Sequence, residues 1–210
     1  MADLNLLKQA VSDLEEDTVF EMLKETMESN GDVLKALEAC QEGLKEVGDR
    51  FESGEYFVGD LIFAGELMSG AIDIIKPGLS AGGVTGKGKM ILCTVHGDLH
   101  DIGKNIVKSI LEASGFEVLD LGIDVPAEKI VETAKSENVK IIALSGVLTL
   151  ALDSMRGVVN GFSGAGIRDQ VKIIIGGNPV SEEACKVIGA DEWAKSPQKT
   201  VDVCTAWAAL

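Results

Sequence analysis

The sequence predicts two architectures in series: a small bundle of helices, then an α/β domain built on a parallel five-stranded sheet. Three observations carry this. All four prolines (Pro77, Pro126, Pro179 and Pro197) and 17 of the 24 glycines lie at or beyond residue 77, although the first 76 residues hold over a third of the chain. Before that point apolar residues recur at spacings of three and four, the period of a helix buried along one face. After it, short β-branched runs alternate with helical segments, as in a parallel sheet covered on both faces.

The helical periods run over Leu4–Asp13, Thr18–Ser29, Val33–Glu52 and Val58–Ile75, with capping and turn residues clustered at Glu15-Glu16-Asp17, Asn30-Gly31-Asp32 and Ser53-Gly54. Four short antiparallel helices are expected. The stretch from Pro77 to Gly86 has too few large apolar residues to hold itself down, and reads as a linker. Strands are expected at Met90–Val95, Phe116–Leu121, Lys140–Leu144, Val171–Ile175 and Glu192–Ala194. Helices are expected at Asp101–Ala113, Ala127–Ser136, Leu152–Phe162, Ser181–Ile188 and Thr200–Ala209. Five βα units make a doubly wound domain, which binds ligands at the carboxyl ends of its strands. The expected division is a helical domain and linker over residues 1–88 and an α/β domain over 89–210. No repeat or low-complexity tract is present.

The chain of 210 residues carries 34 acidic against 19 basic side chains, a formal net charge of −15. Binding to nucleic acid or an anionic membrane needs a clustered basic surface, and none is visible. The 46% hydrophobic and 25% charged content is that of a folded globular protein. The longest uncharged run, Ile141 to Leu152, is too short to span a bilayer. The first residues lack the basic start and apolar run of a secretory signal. Cys40, Cys93, Cys185 and Cys204 are far apart and form no CxxC pair, which fits small core residues in a reducing cytoplasm.

The chemistry concentrates after the first strand, in His96-Gly97-Asp98-Leu99-His100-Asp101-Ile102-Gly103-Lys104-Asn105. Both histidines of the chain lie there. A histidine at such a strand end serves as a general base, a metal ligand or a hydrogen-bonded core residue. Asp98 favours ligation, because a carboxylate holding one ring nitrogen fixes the tautomer and makes the other a better donor to a metal. Zinc bound by His96 and His100 is one alternative, but a structural zinc needs four closed ligands and the cysteines are distant. A phosphoacceptor site is another, but no pair of acids follows the first strand.

Asp98-Leu99-His100-Asp101-Ile102-Gly103 resembles the DxHxxG signature of cobalamin-binding domains, which hold the cofactor base-off with a protein histidine as lower ligand. Ser145-Gly146-Val147-Leu148-Thr149 after the third strand and Gly176-Gly177-Asn178-Pro179 after the fourth fall where that family has its other motifs. The whole chain is similar to the cap-plus-Rossmann unit of methionine synthase, and in length to the free-standing corrinoid proteins of anaerobic methyltransferase systems. The resemblance implies a four-helix cap followed by a Rossmann-like (flavodoxin-like) domain. It implies His100 as the cobalt ligand and Asp98 as its hydrogen-bonding partner, with Leu99, Asp101 and Ile102 beside them. Gly103 would let the helix start pass close to the corrin. Ser145, Val147 and Thr149 would line the slot for the dimethylbenzimidazole, and Gly176 and Gly177 would admit the nucleotide tail. Phe57 and Leu61, where the fourth helix opens, would cover the upper cobalt face; each reads equally as bundle core. Gly176-Gly177 reads equally as a tight turn, and Ser145 and Thr149 as caps of the following helix.

One departure from the methionine synthase pattern stands out: Ala151 occupies the place of the serine that completes a His-Asp-Ser relay. Asp98 is therefore expected to find its partner in water or backbone. His96 lies outside the signature and is expected near the corrin edge, not as a second ligand.

The implied function is a corrinoid methyl carrier, not a complete enzyme by itself, whose cobalt cycles between Co(I) and methyl-Co(III). It would receive the methyl group at a substrate-specific methyltransferase and deliver it to a tetrahydrofolate- or coenzyme M-dependent one, with a reductive activation protein as a third partner. The flexible segment around Gly82-Gly83 would act as hinge when the cap is displaced. A cobalamin-dependent sensor is the alternative, although no helix-turn-helix or basic segment accompanies it. A small subunit of an adenosylcobalamin mutase and a flavodoxin-like domain without cobalamin complete the set.

Overall fold

Asp3 accepts from the main-chain N–H groups of Asn5 and Leu6 and so starts the first helix, α1 (Leu4–Ser12). It is followed by α2 (Glu16–Glu28), α3 (Val33–Ser53) and α4 (Val58–Gly82). The structure, a computed structural model, describes residues 3–29, 31–82 and 86–209, which form two compact units divided between Gly86 and Lys87. Asp32 caps α3 by accepting from the Lys35 N–H, and Gly54 ends it in the left-handed region at φ 81°. The periodic apolar positions become the core of the bundle: Leu7 and Val11, Val19 and Leu23, Cys40, Leu44 and Val47, then Leu67, Met68 and Ile75 are all buried. At Gly43 a Cβ would stand 2.5 Å from the Lys8 carbonyl oxygen, so its absence lets α1 and α3 approach closely.

The fourth helix runs further than its sequence pattern suggests. Pro77 lies inside α4, where a turn and linker were expected. Proline removes one helical donor, but packing compensates: the next residue, Gly78, is pressed against Val33 and Met27, where a Cβ would meet Val33 Cγ2 at 2.8 Å. Contact with α2 and α3 therefore carries the helix past its breaker. The expected hinge falls at Gly82, the last residue of α4, and at Gly83, which with Val84 and Thr85 lies outside the described residues.

In the second unit, strands β1 (Gly88–Val95), β2 (Phe116–Val125), β3 (Ile141–Ser145), β4 (Lys172–Gly176) and β5 (Glu192–Ala194) form one parallel sheet in the order β2-β1-β3-β4-β5. Helices α5 (Ile102–Ala113), α6 (Ala127–Ser136), α7 (Ala151–Gly164), α8 (Glu182–Ile188) and α9 (Pro197–Ala208) connect and follow the strands. This is the expected Rossmann-like, flavodoxin-like arrangement, with β1 at the switch point where the strand order reverses. Ile91, Ile142, Leu144, Ile173 and Ile175 meet Met155, Val158 and Phe162 of α7 in the main core. Strand β2 continues to Val125, four residues past its expected end. Its pairing with β1 shifts register twice, so that Cys93 faces Gly122 and Val95 faces Val125. The surplus residues bend the end of β2 toward the loop after β1.

All four cysteines are free and buried, and burial pushes the thiols of Cys40, Cys93 and Cys204 up to about 12, so they behave as core residues. Phe162 is the largest of the fully buried side chains. Phe162→Ala is expected to cost about 3–5 kcal/mol in chemical denaturation of the cofactor-free protein. Val187→Ala, on an exposed part of α8, should stay within about 0.5 kcal/mol. Equal costs would contradict this placement of the core.

Candidate cofactor site at the carboxyl edge of the sheet

The three motifs end at one level of the sheet. Thr94 pairs with Ser145, Ser145 with Gly176, and Gly176 with Ala194, so the loops after β1, β3 and β4 leave the same edge together. Gly177 has a reason within the protein itself. Its φ is +119°, and a Cβ there would lie 2.0 Å from the Gly146 carbonyl oxygen, while the Gly146 N–H donates to the Gly176 carbonyl at 3.1 Å. Gly176 is less constrained, since a Cβ there would find only ordinary contacts. The N-cap of α7 falls on Leu150, which makes no side-chain cap bond. Thr149 and Val147 are exposed and Ser145 is half-buried.

Asp98 organises the loop after β1. Its side chain is fully buried. One carboxylate oxygen accepts from the main-chain N–H of His100 at 3.0 Å and lies 2.9 Å from His100 Nδ1. The other accepts from the N–H groups of Val147 at 2.7 Å and Leu148 at 3.0 Å. The partner expected in water or backbone is thus two backbone amides at the end of β3, with Ala151 opening the helix behind them. Burial alone would raise this carboxyl, but the amides of Leu148, His100 and Val147 and the imidazole outweigh it and hold Asp98 down to about 2. Asp98 is therefore ionised at neutral pH. An ionised carboxylate only accepts, so Nδ1 of neutral His100 carries the ring proton and Nε2 keeps its lone pair.

Other residues clamp the loop. The Thr94 hydroxyl donates to the Asp98 carbonyl at 2.5 Å and accepts from the Asp124 N–H at 2.9 Å. Lys104, buried in the first turn of α5, reaches Asp120 at 2.6 Å and the Asn105 side-chain oxygen at 2.8 Å. Asn105 in turn donates to Asp101 at 3.2 Å. Sequence reasoning missed Thr94, Lys104, Asp120, Asp124 and the Leu148 amide. Each of them also makes a contact 16 to 50 residues away, which the sequence pattern does not display.

The donor set suits a corrinoid. Among the described residues no three His, Cys, Asp or Glu side chains gather to hold a bare ion. A macrocycle that fills its own equatorial positions needs a single protein donor, and His100, 53% exposed, offers one held in orientation. The surface beside it is open and apolar: Leu99 is 64% and Ile102 75% exposed, and a Cβ at Gly103 would meet no atom of the described residues within 4 Å. A glycine inside a helix costs up to about 1 kcal/mol, and no contact among the described residues calls for one there. In the helical unit, Phe57 is 72% exposed whereas Leu61 is buried in the bundle.

Because the folded carboxyl of Asp98 titrates below its unfolded value, its stabilisation is complete above pH of about 4 and is lost as pH falls toward 2. Asn imitates the protonated acid. Asp98→Asn should lower the stability of the cofactor-free protein by about 2 kcal/mol at pH 7. Chemical denaturation should show that gap closing between pH of about 4 and 2; a gap unaffected by pH in this range would contradict the assignment.

Comparison with known proteins gives the family. Family models described as B12 binding domains match residues 88–201 and residues 4–76. A corrinoid protein of Desulfitobacterium hafniense is 33% identical over 97% of this chain and 96% of its own length. Trimethylamine corrinoid protein 1 of Methanosarcina acetivorans is 36% identical over 92% of this chain and 91% of its own. Among solved structures, a cobalamin-binding protein from Desulfitobacterium hafniense superposes with a TM-score of 0.91 at 47% identity, covering 99% of both chains. The methanol:cobalamin methyltransferase complex of Methanosarcina barkeri matches with a TM-score of 0.78 at 25% identity, over 97% of this chain and 78% of that one. With both units matched by B12-binding models and near full-length relatives above 30% identity, the chain belongs to the cobalamin-binding corrinoid proteins.

Proposed function

We propose that this corrinoid protein carries a methyl group between two methyltransferases, on a base-off corrinoid whose lower ligand is His100. The observation that carries the proposal is the Asp98–His100 pair: a buried, ionised carboxylate fixes Nδ1–H and leaves Nε2 free to donate. When bound, the corrinoid would supply the methyl-transfer chemistry through a nucleophilic cobalt. The protein's share is orientation and shielding. His100 would hold the cobalt, Leu99, Ile102 and Gly103 would form the apolar floor, and Asp101 holds Asn105 at the start of α5. The slot for the displaced base and tail is assigned to Ser145, Val147, Thr149 and the open side of Gly176, with Gly177 shaping the turn.

Phe57, exposed at the start of α4, is assigned to the lid over the reactive face, with Leu61 one turn along behind it. The segment around Gly82-Gly83 is the proposed hinge. Asp98 ends on amides that do not titrate, so no proton relay continues beyond it, unlike the serine relay of the methionine synthase pattern. The partners are proposed as a substrate-specific methyltransferase, a tetrahydrofolate- or coenzyme M-dependent methyltransferase and a reductive activation protein. The relatives' names point to methylated amines or methanol as donors.

Hydroxocobalamin titrated into the protein is expected to give a base-off, imidazole-ligated spectrum, which His100→Ala should abolish. Asp98→Asn should weaken binding by roughly 10- to 100-fold. After chemical reduction, the loaded protein should become methylated when given trimethylamine, dimethylamine, monomethylamine or methanol together with the matching methyltransferase. Failure with every pair, accompanied by a light-sensitive response confined to adenosylcobalamin, would replace the carrier with the sensor.

A further inference from the structure

The loop after β1 holds a second imidazole–carboxylate pair with no part in cobalt ligation as proposed above. His96 Nδ1 lies 2.7 Å from Asp124 Oδ1, and the same oxygen accepts from the Gly97 N–H at 2.7 Å. Asp124 is itself fixed. It sits in the left-handed region at φ 53°, where its N–H reaches the Thr94 hydroxyl and the Asp98 carbonyl, the latter at 3.2 Å. The His96 main chain is tied as well, its carbonyl accepting from the Ser154 hydroxyl at 2.8 Å. Yet the imidazole is 69% exposed. Gly97, Thr94 and Asp98 thus hold Asp124, and Ser154 holds the His96 main chain, beneath a ring that contributes little to the core.

The Gly97 amide, first among its influences, keeps the Asp124 carboxyl below the usual range, so this carboxylate is ionised at neutral pH. It therefore takes the Nδ1 proton of neutral His96 and leaves Nε2 as a directed acceptor at the rim of the site, on the β2 side of the loop. A ligand group that suits it must bring a donor, an N–H or an O–H. The periphery of a corrin is fringed with primary carboxamides, whose N–H groups donate, while a carboxylate in the same place would face the negative pair unfavourably.

We propose that His96, positioned by Asp124, binds a peripheral carboxamide of the corrinoid through Nε2 and so selects amidated corrinoids over their carboxylate forms. This rests on the cofactor site proposed above. The chain has only two histidines, so ¹⁵N-histidine labelling gives two assignable imidazoles. On loading with cobalamin, the Nε2 resonance of His96 is expected to move as well as that of His100. His96→Ala should weaken cobalamin binding about three- to tenfold, as for one lost hydrogen bond, while the imidazole-ligated spectrum and the cofactor-free thermal midpoint stay as in the unaltered protein. Among cobalamin derivatives with a single side-chain amide converted to carboxylate, one should lose its binding deficit against cobalamin in His96→Ala. An unmoved His96 resonance, unchanged affinity, or an equal deficit for every derivative in both proteins would overturn the proposal. Absence of imidazole coordination in the unaltered protein would instead overturn the His100 ligation, and is read separately from the spectrum.

Discussion

One buried carboxylate holds the site together. Asp98 accepts four hydrogen bonds, two from His100 and two from the amides of Val147 and Leu148, and these join the loop after β1 to the loop after β3. Burying a charge is costly unless it is fully partnered. Here backbone donors and an imidazole supply the partners, and the same bonds that keep the charge also set the direction of the ring. Stability and ligand geometry are thus two consequences of one arrangement. Substituting any member disturbs both, because the carboxylate cannot turn toward other partners without leaving amides unsatisfied.

Strand β2 completes the clamp by an irregularity. After the regular Leu92–Asp120 pair, where Asp120 meets Lys104, the register shifts set Gly122 opposite Cys93 and Val125 opposite Val95, and between them Asp124 meets His96 and Gly97. The bulged strand next to the site therefore serves positioning, as such irregularities often do.

The parts legible in the sequence were those written locally. The helical and strand periods placed nearly every element, because each buried face repeats at its own spacing, and DxHxxG pointed to the loop that holds the Asp98–His100 pair because the pair lies within three residues. The exceptions are non-local. Pro77 announces a break that contacts with Met27 and Val33 override. The end of β2 hides its last residues behind Gly122 and Asp124, both turn formers with positive φ. The partners of Asp98 are main-chain amides about 50 residues away, and an amide carries no residue signature. Gly176 and Gly177 look alike in sequence, yet the structure separates them: one is required by the Gly146 carbonyl and the other leaves space.

The proposed ligation puts a protein imidazole nitrogen, and not the cofactor's own base, on the cobalt. Electron paramagnetic resonance of the cobalt(II) protein tests it most directly, using ¹⁵N-histidine in the chain and unlabelled cobalamin. Coordination by His100 predicts that each nitrogen-split line changes from a triplet to a doublet on labelling. A triplet that persists in the labelled protein would show the benzimidazole still bound to cobalt and contradict the account.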